Sequence, residues 1–351
     1  MIMQDKSPKE VTKRLLPFVK DKDIYQVHPI PTGGNNRLYL LATAYGNYVM
    51  KRYFKHDYDK SDRLHREYAF SSFVWSHGIK CIAEPIAQDS NSNVGIYRFI
   101  EGSKLGVGDI SANAVEQAVD FFLKVNRHKS DVKARRIPYA SEACFSIEQY
   151  INAVDERMEK LKVIEAKTQL DKEARRFINS LLVGRWIETK NKILRKAKEE
   201  KLSVIKRIPA SDIILSPSDF GFHNAIMGED GVIRFIDFEY AGWDDIAKMT
   251  CDFFSQVAIP ISPVYFKQFV NRLIRDAEKP NMTLNRIRLL LPLHGIKWCC
   301  ILLNHFLSVD RERKIFADKK AMEKKAQQLR KAKAHLHSLA KYGKEGIYGI
   351  C

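Results

Sequence analysis

The sequence contains few cysteines, and their positions do not indicate a disulfide framework or a zinc site. None of the six lies in a C-x-x-C pair or at the Cys/His spacing of a zinc ligand set. Cys299 and Cys300 are adjacent within an apolar run, which favours reduced core thiols in a cytoplasmic protein over redox chemistry of a vicinal pair. The other four are Cys81, Cys144, Cys251 and Cys351.

Features of membrane targeting are also missing. The N-terminal stretch "MIMQDKSPKEVTKRLL" lacks the apolar core of a secretory signal. The longest apolar run, Ile287 to Leu307, is interrupted by Arg288, His294 and Lys297, so we expect a buried helix there and no membrane span. The chain shows no internal repeat, and its 351 residues are enough for two lobes.

Acidic residues are under-represented, since 42 Asp and Glu stand against 59 Lys and Arg, a formal net charge of +17. Three explanations are open at this point: a plain basic surface, an anionic small ligand, or nucleic acid. The basic residues are spread along the chain, which has neither interleaved aromatic residues nor a recognisable nucleic-acid-binding motif. A plain basic surface is therefore favoured, and we expect no specific nucleic-acid partner.

Several catalytic motifs are absent as well. No G-x-S-x-G surrounds Ser216 or Ser218, so neither serine is placed as a nucleophile. No G-K-[ST] follows Gly33 and Gly34, which excludes a Walker A loop. No A-P-E-like segment follows Asp237, which disfavours a protein kinase.

The hydrophobic pattern changes its period along the chain. Up to about residue 100 it is strand-like, with one helical stretch from Ser61 to Ile79. From about Ser111 it is mostly helical, apart from a strand-rich stretch at Asp230 to Gly242. The sequence predicts an α+β fold of two parts, a small sheet-rich lobe over residues 1–100 and a larger helical lobe over residues 101–351.

What the sequence does contain is a pair of aspartates with the spacing of a phosphoryl-transfer site. In "LSPSDFGFHNAI", Asn224 stands five positions after Asp219, a pattern in which the aspartate orients and deprotonates a hydroxyl and the asparagine binds magnesium. Asp237 follows 18 residues after Asp219, behind the apolar strand "VIRFI", where a second aspartate would bind the same metal. The literal D-F-G at Asp219 is therefore not the metal-binding motif. The alternative is a turn in which Asp219 and Asn224 cap backbone amides.

Residues nearer the N-terminus complete this pattern. Gly33 and Gly34 in "PTGGNNRLYLL" suit a loop whose backbone N–H groups face phosphate oxygens, although an ordinary hairpin turn has the same composition. Lys51, late in the next hairpin strand, would reach the α- and β-phosphates, and Glu67 on the following helix would pair with it. A plain surface lysine is the alternative for Lys51.

Other polar residues near these motifs are assigned to support. Glu239 either holds the metal loop or assists a second metal, and support is favoured. Asp244, Asp245 and Asp252 are expected to cap or anchor the start of a helix. His223 has no evident carboxylate or cysteine partner at a catalytic spacing, so a structural role is predicted for it.

These segments together resemble the aminoglycoside phosphotransferase and choline kinase superfamily, the small-molecule branch of the protein-kinase-like fold. The resemblance runs from about Val27 to Phe254 and includes "YVMKRY" for the lysine strand, "HREYAFSSFVWSHGI" for the glutamate helix, and "SDFGFHNAI" and "IDFEYAGWDD" for the catalytic and metal loops. "YRFIEGSKL" is similar to the hinge between the lobes, which implies that the backbone of Phe99, Ile100 and Glu101 meets adenine.

The resemblance implies a bilobal kinase-like fold and an ATP- and Mg²⁺-dependent phosphotransferase. Its acceptor would be a hydroxyl of a small molecule, such as a sugar, a glycan or lipid precursor, or an antibiotic-like compound, and the scarcity of acids favours a neutral or anionic one. The family usually has His-Gly before the catalytic aspartate and often a histidine two positions after it, where this chain has Pro217, Ser218 and Gly221. Pro217 and Ser218 are the features that favour the alternative, a catalytically weak or inactive nucleotide-binding module of the same fold. Asp219, Asn224 and Asp237, the three groups that the chemistry needs, are all present, so an active enzyme is expected.

Overall fold

A computed structural model describes residues 24–31, 36–44, 46–54, 62–275, 277–307 and 324–345. Gly33, Gly34 and Cys351 lie outside the described residues, so the predictions made for them have no structural counterpart. The described part of the chain begins with a five-stranded antiparallel sheet in the order β1-β2-β3-β5-β4. Its strands are β1 (Ile24–Ile30), β2 (Arg37–Thr43), β3 (Gly46–Arg52), β4 (Pro85–Asp89) and β5 (Val94–Arg98).

One face of this sheet carries a small hydrophobic cluster of its own. Alternate residues of a strand point to opposite faces, so β3 directs Tyr48 and Met50 to the cluster. The register pairs Leu41 with Tyr48 and Leu38 with Lys51, which places Lys51 near the end of β3. The remaining buried members are Leu41, Ala87, Val94 and Ile96.

The helix α1 (Arg63–Ser76) follows the hairpin of β2 and β3, within the stretch that the sequence predicted to be helical. It begins after Asp62, whose side chain accepts a hydrogen bond from the backbone of His65 at 2.9 Å and so caps the first turn. Its buried face includes Phe70 and Phe73, which join the large hydrophobic cluster formed by the later helices. The helix is thereby fixed between the sheet and the helical region.

The rest of the described chain is mainly helical, as expected. A π-helical segment, Ile178–Leu182, joins the helix that ends at Phe177 to the helix that begins at Val183 without a break. The helices are α2 (Ala112–Arg127), α3 (Ile147–Lys162), α4 (Gln169–Phe177), α5 (Val183–Glu199), α6 (Ile246–Ser255), α7 (Phe266–Leu273), α8 (Pro280–Leu303) and α9 (Lys325–Glu345).

The longest apolar helix is a core element. Among the described residues, one helical stretch, Pro280–Phe306, is long and apolar enough to cross a membrane by composition alone, and 78% of its apolar window is buried within the fold. Its buried face packs against α6 and α9. The prediction of a buried helix in this part of the sequence is confirmed.

Two small sheets hold the loops that contain the candidate aspartates. The short strands are β6 (Ser103–Lys104), β7 (Ile213–Ser216), β8 (Ala225–Met227), β9 (Ile233–Phe235) and β10 (Gly242–Asp245). Strand β8 lies between β6 and β9, and β7 pairs with β10. Asp219 therefore lies in the loop from β7 to β8, and Asp237 lies just after β9.

Candidate active site

Lys51 lies between two carboxylates. It is buried, its Nζ is 2.6 Å from Oε2 of Glu67, and the same nitrogen contacts Oδ1 of Asp237. Burial by itself lowers the pKa of Lys51, but the negative charges of Asp237, Glu67 and Glu239 outweigh it and hold that pKa well above its ordinary value. The structure thus brings together three residues that the sequence assigned to one site, although 186 positions separate Lys51 from Asp237.

Glu67 is held in place by hydrogen bonds from the sheet. Oη of Tyr53 donates to Oε2 of Glu67 at 2.9 Å, and it also lies 2.9 Å from Oη of Tyr97. Burial, together with the nearby charge of Glu67, raises the pKa of Tyr53 well above its ordinary value. The phenol therefore keeps its proton and remains a donor to Glu67, which fixes the carboxylate that faces Lys51.

Asp237 has an unusual backbone conformation. Its φ is 68°, in the left-handed region that residues other than glycine adopt only at a cost of order 1–3 kcal/mol. The next residue, Phe238, is buried, with its ring centroid 5.0 Å from that of Phe70 and 6.1 Å from that of Phe121. This packing stabilises the turn, while 36% of the Asp237 side chain stays exposed and can meet a ligand.

The loop around Asp219 is strained in a similar way. Ser218 and Asp219 have φ values of 48° and 36°, both in the left-handed region. The buried rings of Phe220 and Phe222 anchor the loop, since their centroids lie 5.4 Å and 5.8 Å from that of Phe253 on α6. The literal D-F-G thus supplies the aromatic anchor of this loop, whereas the aspartate in contact with Lys51 is Asp237.

Asn224 is oriented by Asp219. Its Nδ2 lies 3.1 Å from the backbone oxygen of Asp219 and 3.4 Å from Oδ2 of the same residue. The amide nitrogen is therefore a donor to Asp219, which differs from the alternative in which the Asn224 side chain caps a backbone amide. With the nitrogen so committed, the amide oxygen is the atom that Asn224 can offer to a cation.

His223 has a carboxylate partner, contrary to the sequence-based prediction. Its Nε2 lies 3.3 Å from Oδ1 of Asp219. Burial lowers the pKa of His223, but the charge of Asp219, its hydrogen bond and the more distant Asp237 outweigh burial and raise that pKa above its ordinary value. Sequence spacing did not indicate this partner, because the contact depends on the turn with positive φ at Asp219. The structural role predicted for His223 stays a prediction.

Glu239 has the structural contacts of a residue that supports the loop of Asp237, the role that the sequence favoured. It is fully buried, it accepts a hydrogen bond from Nδ2 of Asn36 at 2.7 Å, and Nε of Arg63 is 4.0 Å away. Sequence reasoning missed Asn36, because the two partners are 203 positions apart and nothing in the local pattern marks the asparagine. Through this bond the start of β2 is attached to the segment that carries Asp237.

Asp244 and Asp245 anchor the start of α6, as expected, whereas Asp252 lies in the second half of this helix. Asp245 caps the helix by accepting from the backbone of Ala247 at 2.8 Å. Asp244 pairs with Lys248 at 2.8 Å, and Asp252 lies 3.2 Å from the same ammonium. These carboxylates are engaged inside the fold and do not belong to the contacts around Lys51.

Residues 99–102 connect β5 of the five-stranded sheet to β6 of the small sheet that contains β8. The amide of Phe99 donates to the oxygen of Asn47 at 3.0 Å, so this N–H is already used within the sheet. The backbone oxygen of Phe99 is not engaged by this bond, so the predicted contact of adenine with the backbone of Phe99, Ile100 and Glu101 stays a prediction. Gly102 has a φ of 145°, and a Cβ there would lie 2.2 Å from the oxygen of Met227, so only glycine fits this close approach to β8.

Comparison with known proteins supports a kinase-like fold. The sequence profile of a family described as "Phosphotransferase enzyme family" matches residues 26–281, while no curated protein sequence matches the chain. A choline kinase from Cryptosporidium parvum Iowa II has a similar structure, with a TM-score of 0.59, 16% identity and 97% of each chain covered. A spectinomycin phosphotransferase in complex with ADP and spectinomycin has a TM-score of 0.62 at 14% identity, covering 93% of this chain and 98% of the other. The predicted α+β kinase-like fold is confirmed.

Proposed function

The chain belongs to the phosphotransferase enzyme family, and from that premise we propose that it transfers the γ-phosphoryl group of ATP to a hydroxyl of a small molecule in a magnesium-dependent reaction. The observation that carries the proposal is the contact of the Lys51 ammonium with both Glu67 and Asp237. In a phosphoryl-transfer site this contact holds a cation beside the phosphates and aligns the metal-binding carboxylate. The ADP bound to the spectinomycin phosphotransferase of similar fold supports ATP as the donor.

The side chains around Asp237 fit magnesium. A carboxylate oxygen of Asp237 and the amide oxygen of Asn224 are hard ligands of the kind that Mg²⁺ prefers. Mg²⁺ commonly keeps few protein ligands and binds substrate phosphates as well, so two protein oxygens suffice for an ion that would be shared with the nucleotide. When bound with the nucleotide, magnesium supplies neutralisation of the charge on the phosphate oxygens.

The protein's own residues then have distinct tasks. Lys51 holds the α- and β-phosphates, and Glu67 keeps Lys51 in place. Asp219 orients the acceptor hydroxyl and accepts its proton as the bond to phosphorus forms. Gly33 and Gly34 are proposed to cover the phosphates with their backbone amides. Most of the rate enhancement would come from positioning and charge neutralisation, because the transition state of phosphoryl transfer is largely dissociative.

The pairing of the acidic residues argues for a neutral or anionic acceptor. Polycationic substrates require carboxylates that are free to bind them. Here Asp244 is paired with Lys248, and Asp252 lies 2.7 Å from Lys297, so the acids nearest the metal loop in sequence are already neutralised. A sugar or a glycan or lipid precursor fits this site better than a polyamine-like drug. Efficient phosphorylation of kanamycin or choline at micromolar concentration would contradict this part of the proposal.

The proposal is tested by calorimetric titration of ATP with and without magnesium, on the wild type and on Asp237→Asn. We expect magnesium-dependent binding that the substitution weakens at least tenfold, about 1.4 kcal/mol, because the amide removes the charge that binds the metal. Asp230→Asn is the control, since this exposed aspartate pairs with Arg234 on the surface at 2.7 Å. Absence of binding at millimolar ATP would rule out the nucleotide site.

A second variant separates an active enzyme from an inactive nucleotide-binding module. Asp219→Ala is expected to keep the wild-type affinity for Mg·ATP and to lose phosphoryl transfer to hydroxylated acceptors, because Asp219 acts on the acceptor and not on the nucleotide. If the wild type binds Mg·ATP but transfers phosphate to no member of a panel of sugars, polyols and amino alcohols, the inactive module becomes the better description.

A further inference from the structure

We infer that His223 is a positioning residue for the catalytic aspartate, and that position 221 is a glycine because the His223 ring needs the space. The inference rests on the proposed function, since it assigns Asp219 the task of orienting the acceptor hydroxyl. It goes beyond that function because it names a group that fixes the direction of the Asp219 carboxylate.

The two oxygens of the Asp219 carboxylate are held by different neighbours. Nε2 of His223 lies 3.3 Å from Oδ1, and Nδ2 of Asn224 lies 3.4 Å from Oδ2. Both distances are long for hydrogen bonds to a carboxylate, as is common at catalytic sites before the substrate complex tightens them. With one donor on each oxygen, rotation of the carboxylate about its Cβ–Cγ bond is restricted, and the remaining lone pairs keep a fixed direction.

The backbone alone does not give Asp219 this orientation. Ser218 and Asp219 both have positive φ values, 48° and 36°, so the catalytic residue lies in a strained turn rather than on a helix or a strand. The rings of Phe220 and Phe222 pack against that of Phe253 and so fix the position of the loop backbone, but they offer no hydrogen-bond donor to the carboxylate of Asp219. The side chain of Asp219 is therefore directed by its donors, His223 among them.

Gly221 is explained by the room that the imidazole occupies. Its φ is 173°, which is extended backbone that any residue adopts, so conformational freedom does not require glycine here. A Cβ at this position would lie 2.8 Å from Nδ1 and 3.0 Å from Cε1 of His223, and 3.3 Å from Cγ of Gln256. A side chain at 221 would push the ring away from its present place. Gly221 and His223 therefore form one unit.

The contribution of His223 is expected in turnover and not in nucleotide binding. Lys51, Glu67 and Asp237 meet the nucleotide end of the site, whereas His223 touches the carboxylate that faces the acceptor. Loss of the donor leaves Asp219 free to rotate, so a smaller fraction of bound complexes has the oxygen aimed at the acceptor. Such a loss lowers kcat and leaves the affinity for Mg·ATP unchanged.

The experiment compares five variants, His223→Phe, His223→Gln, His223→Ala, Gly221→Ala and the Gly221→Ala/His223→Ala double variant. Mg·ATP is the only substrate, water is the acceptor, and turnover is measured by ADP release. His223→Phe keeps a ring of similar size without the donor, and we expect kcat to fall at least tenfold while the calorimetric affinity for Mg·ATP and the Tm stay near the wild type. His223→Gln carries a donor nitrogen at the distance of Nε2 and is expected to recover part of the loss. Wild-type kcat in His223→Phe would overturn the inference.

A double-mutant cycle tests the space argument. Gly221→Ala is expected to lower kcat in the presence of His223. The double variant Gly221→Ala/His223→Ala is expected to have nearly the kcat of His223→Ala alone, because the ring that the added methyl group displaces is gone. Additive effects would show that the two positions act independently and would overturn this part of the inference.

Two observations keep the test separate from the proposed function. If the wild type neither binds Mg·ATP nor releases ADP, the proposed function fails and the inference with it. If the wild type binds Mg·ATP and releases ADP, and His223→Phe releases ADP with the same kcat, only the inference fails. For turnover too slow to measure, the ring resonances of His223 in NMR spectra serve as the readout. They are expected to shift in Asp219→Asn, and unchanged resonances would overturn the contact.

Discussion

At the scale of single residues, the two candidate aspartates differ in the basic side chain that each one meets. Asp237 contacts the ammonium of Lys51, and Asp219 contacts the imidazole of His223. The first contact could be predicted, because the order of lysine, glutamate and aspartate along the chain follows a known chemical pattern. The second could not, because it depends on a turn with positive φ at Asp219 that no local pattern marks. For the same reason the sequence shows Gly221 only as a difference from the family's usual histidine. In the fold, the His223 ring occupies the space that a side chain at position 221 would need.

The buried cation gives a prediction at this scale. Lys51→Met removes the charge that lies between Glu67 and Asp237, so the phosphates lose a partner and meet two unneutralised carboxylates. We expect the affinity for Mg·ATP, measured by calorimetry, to fall at least tenfold. Lys80→Met is the matched control, since Lys80 is exposed and its ammonium contacts Trp75, 3.7 Å from the ring centroid and 3.1 Å from the backbone oxygen. Equal affinities in the two variants would contradict the role of Lys51.

At the scale of elements, the long periodic segments were predictable, and so was β9, which lies within the predicted apolar strand "VIRFI", but other short strands were not. The helix α1 lies inside the predicted stretch, because a dozen residues of helical period and an N-terminal Asp62 give a consistent signal. The strands β7 and β8 have four and three residues, too few for a clear alternating pattern. Their places are set by pairing across the chain, which a single sequence does not display. The site depends on these short elements, since they carry the loops of Asp219 and Asp237.

Gly242, the first residue of β10, provides a prediction for one of these elements. Its φ is 156°, and a Cβ would lie 2.3 Å from the oxygen of Pro138 and 2.6 Å from the nitrogen of Ala140, both of them backbone atoms. Gly242→Ala is expected to lower the free energy of unfolding by about 2–4 kcal/mol, measured by urea denaturation. Because β10 pairs with β7 just before Asp219, turnover should fall as well.

The control for Gly242→Ala is a second glycine-to-alanine substitution, which is expected to raise the free energy of unfolding instead of lowering it. Gly184 lies in α5, and a Cβ there would meet no atom within 4 Å. Gly184→Ala should therefore raise the free energy of unfolding by about 0.5–1 kcal/mol, since alanine loses less backbone entropy in a helix. Similar destabilisation in both variants would mean that close approach at Gly242 is not the cause.

At the scale of the whole molecule, the α+β class could be predicted, but the way its two parts share a core could not. The spacing of hydrophobic residues predicts whether a segment is a helix or a strand. It does not predict which hydrophobic cluster the apolar face of that segment packs into. Phe70, Phe73 and Val74 of α1 pack with the later helices, although the sheet around α1 has a separate cluster. A division at residue 100 therefore remains a prediction about lobes. The net charge of +17 likewise left open that the buried acids Asp212 and Asp245 share one guanidinium, that of Arg286.

The docking of α9 against α8 makes the whole fold sensitive to acid. Burial lowers the pKa of His335 to about 4, and a hydrogen bond with the backbone of Gly295 offsets only part of this shift. In the unfolded chain this histidine has its ordinary pKa of about 6.5. Between pH 4 and 6.5 the unfolded chain therefore binds a proton at this residue that the folded protein does not bind. The contribution of His335 to stability is thus complete above pH 6.5 and is lost as the pH falls toward 4, by up to about 3 kcal/mol.

His335→Gln should flatten the pH dependence of the free energy of unfolding between pH 6.5 and 4, measured by urea denaturation at several pH values. The exposed His337 on the same helix gives the control His337→Gln, which should keep the wild-type slope. A wild-type slope in His335→Gln would show that the acid sensitivity arises elsewhere than in the packing of these two helices.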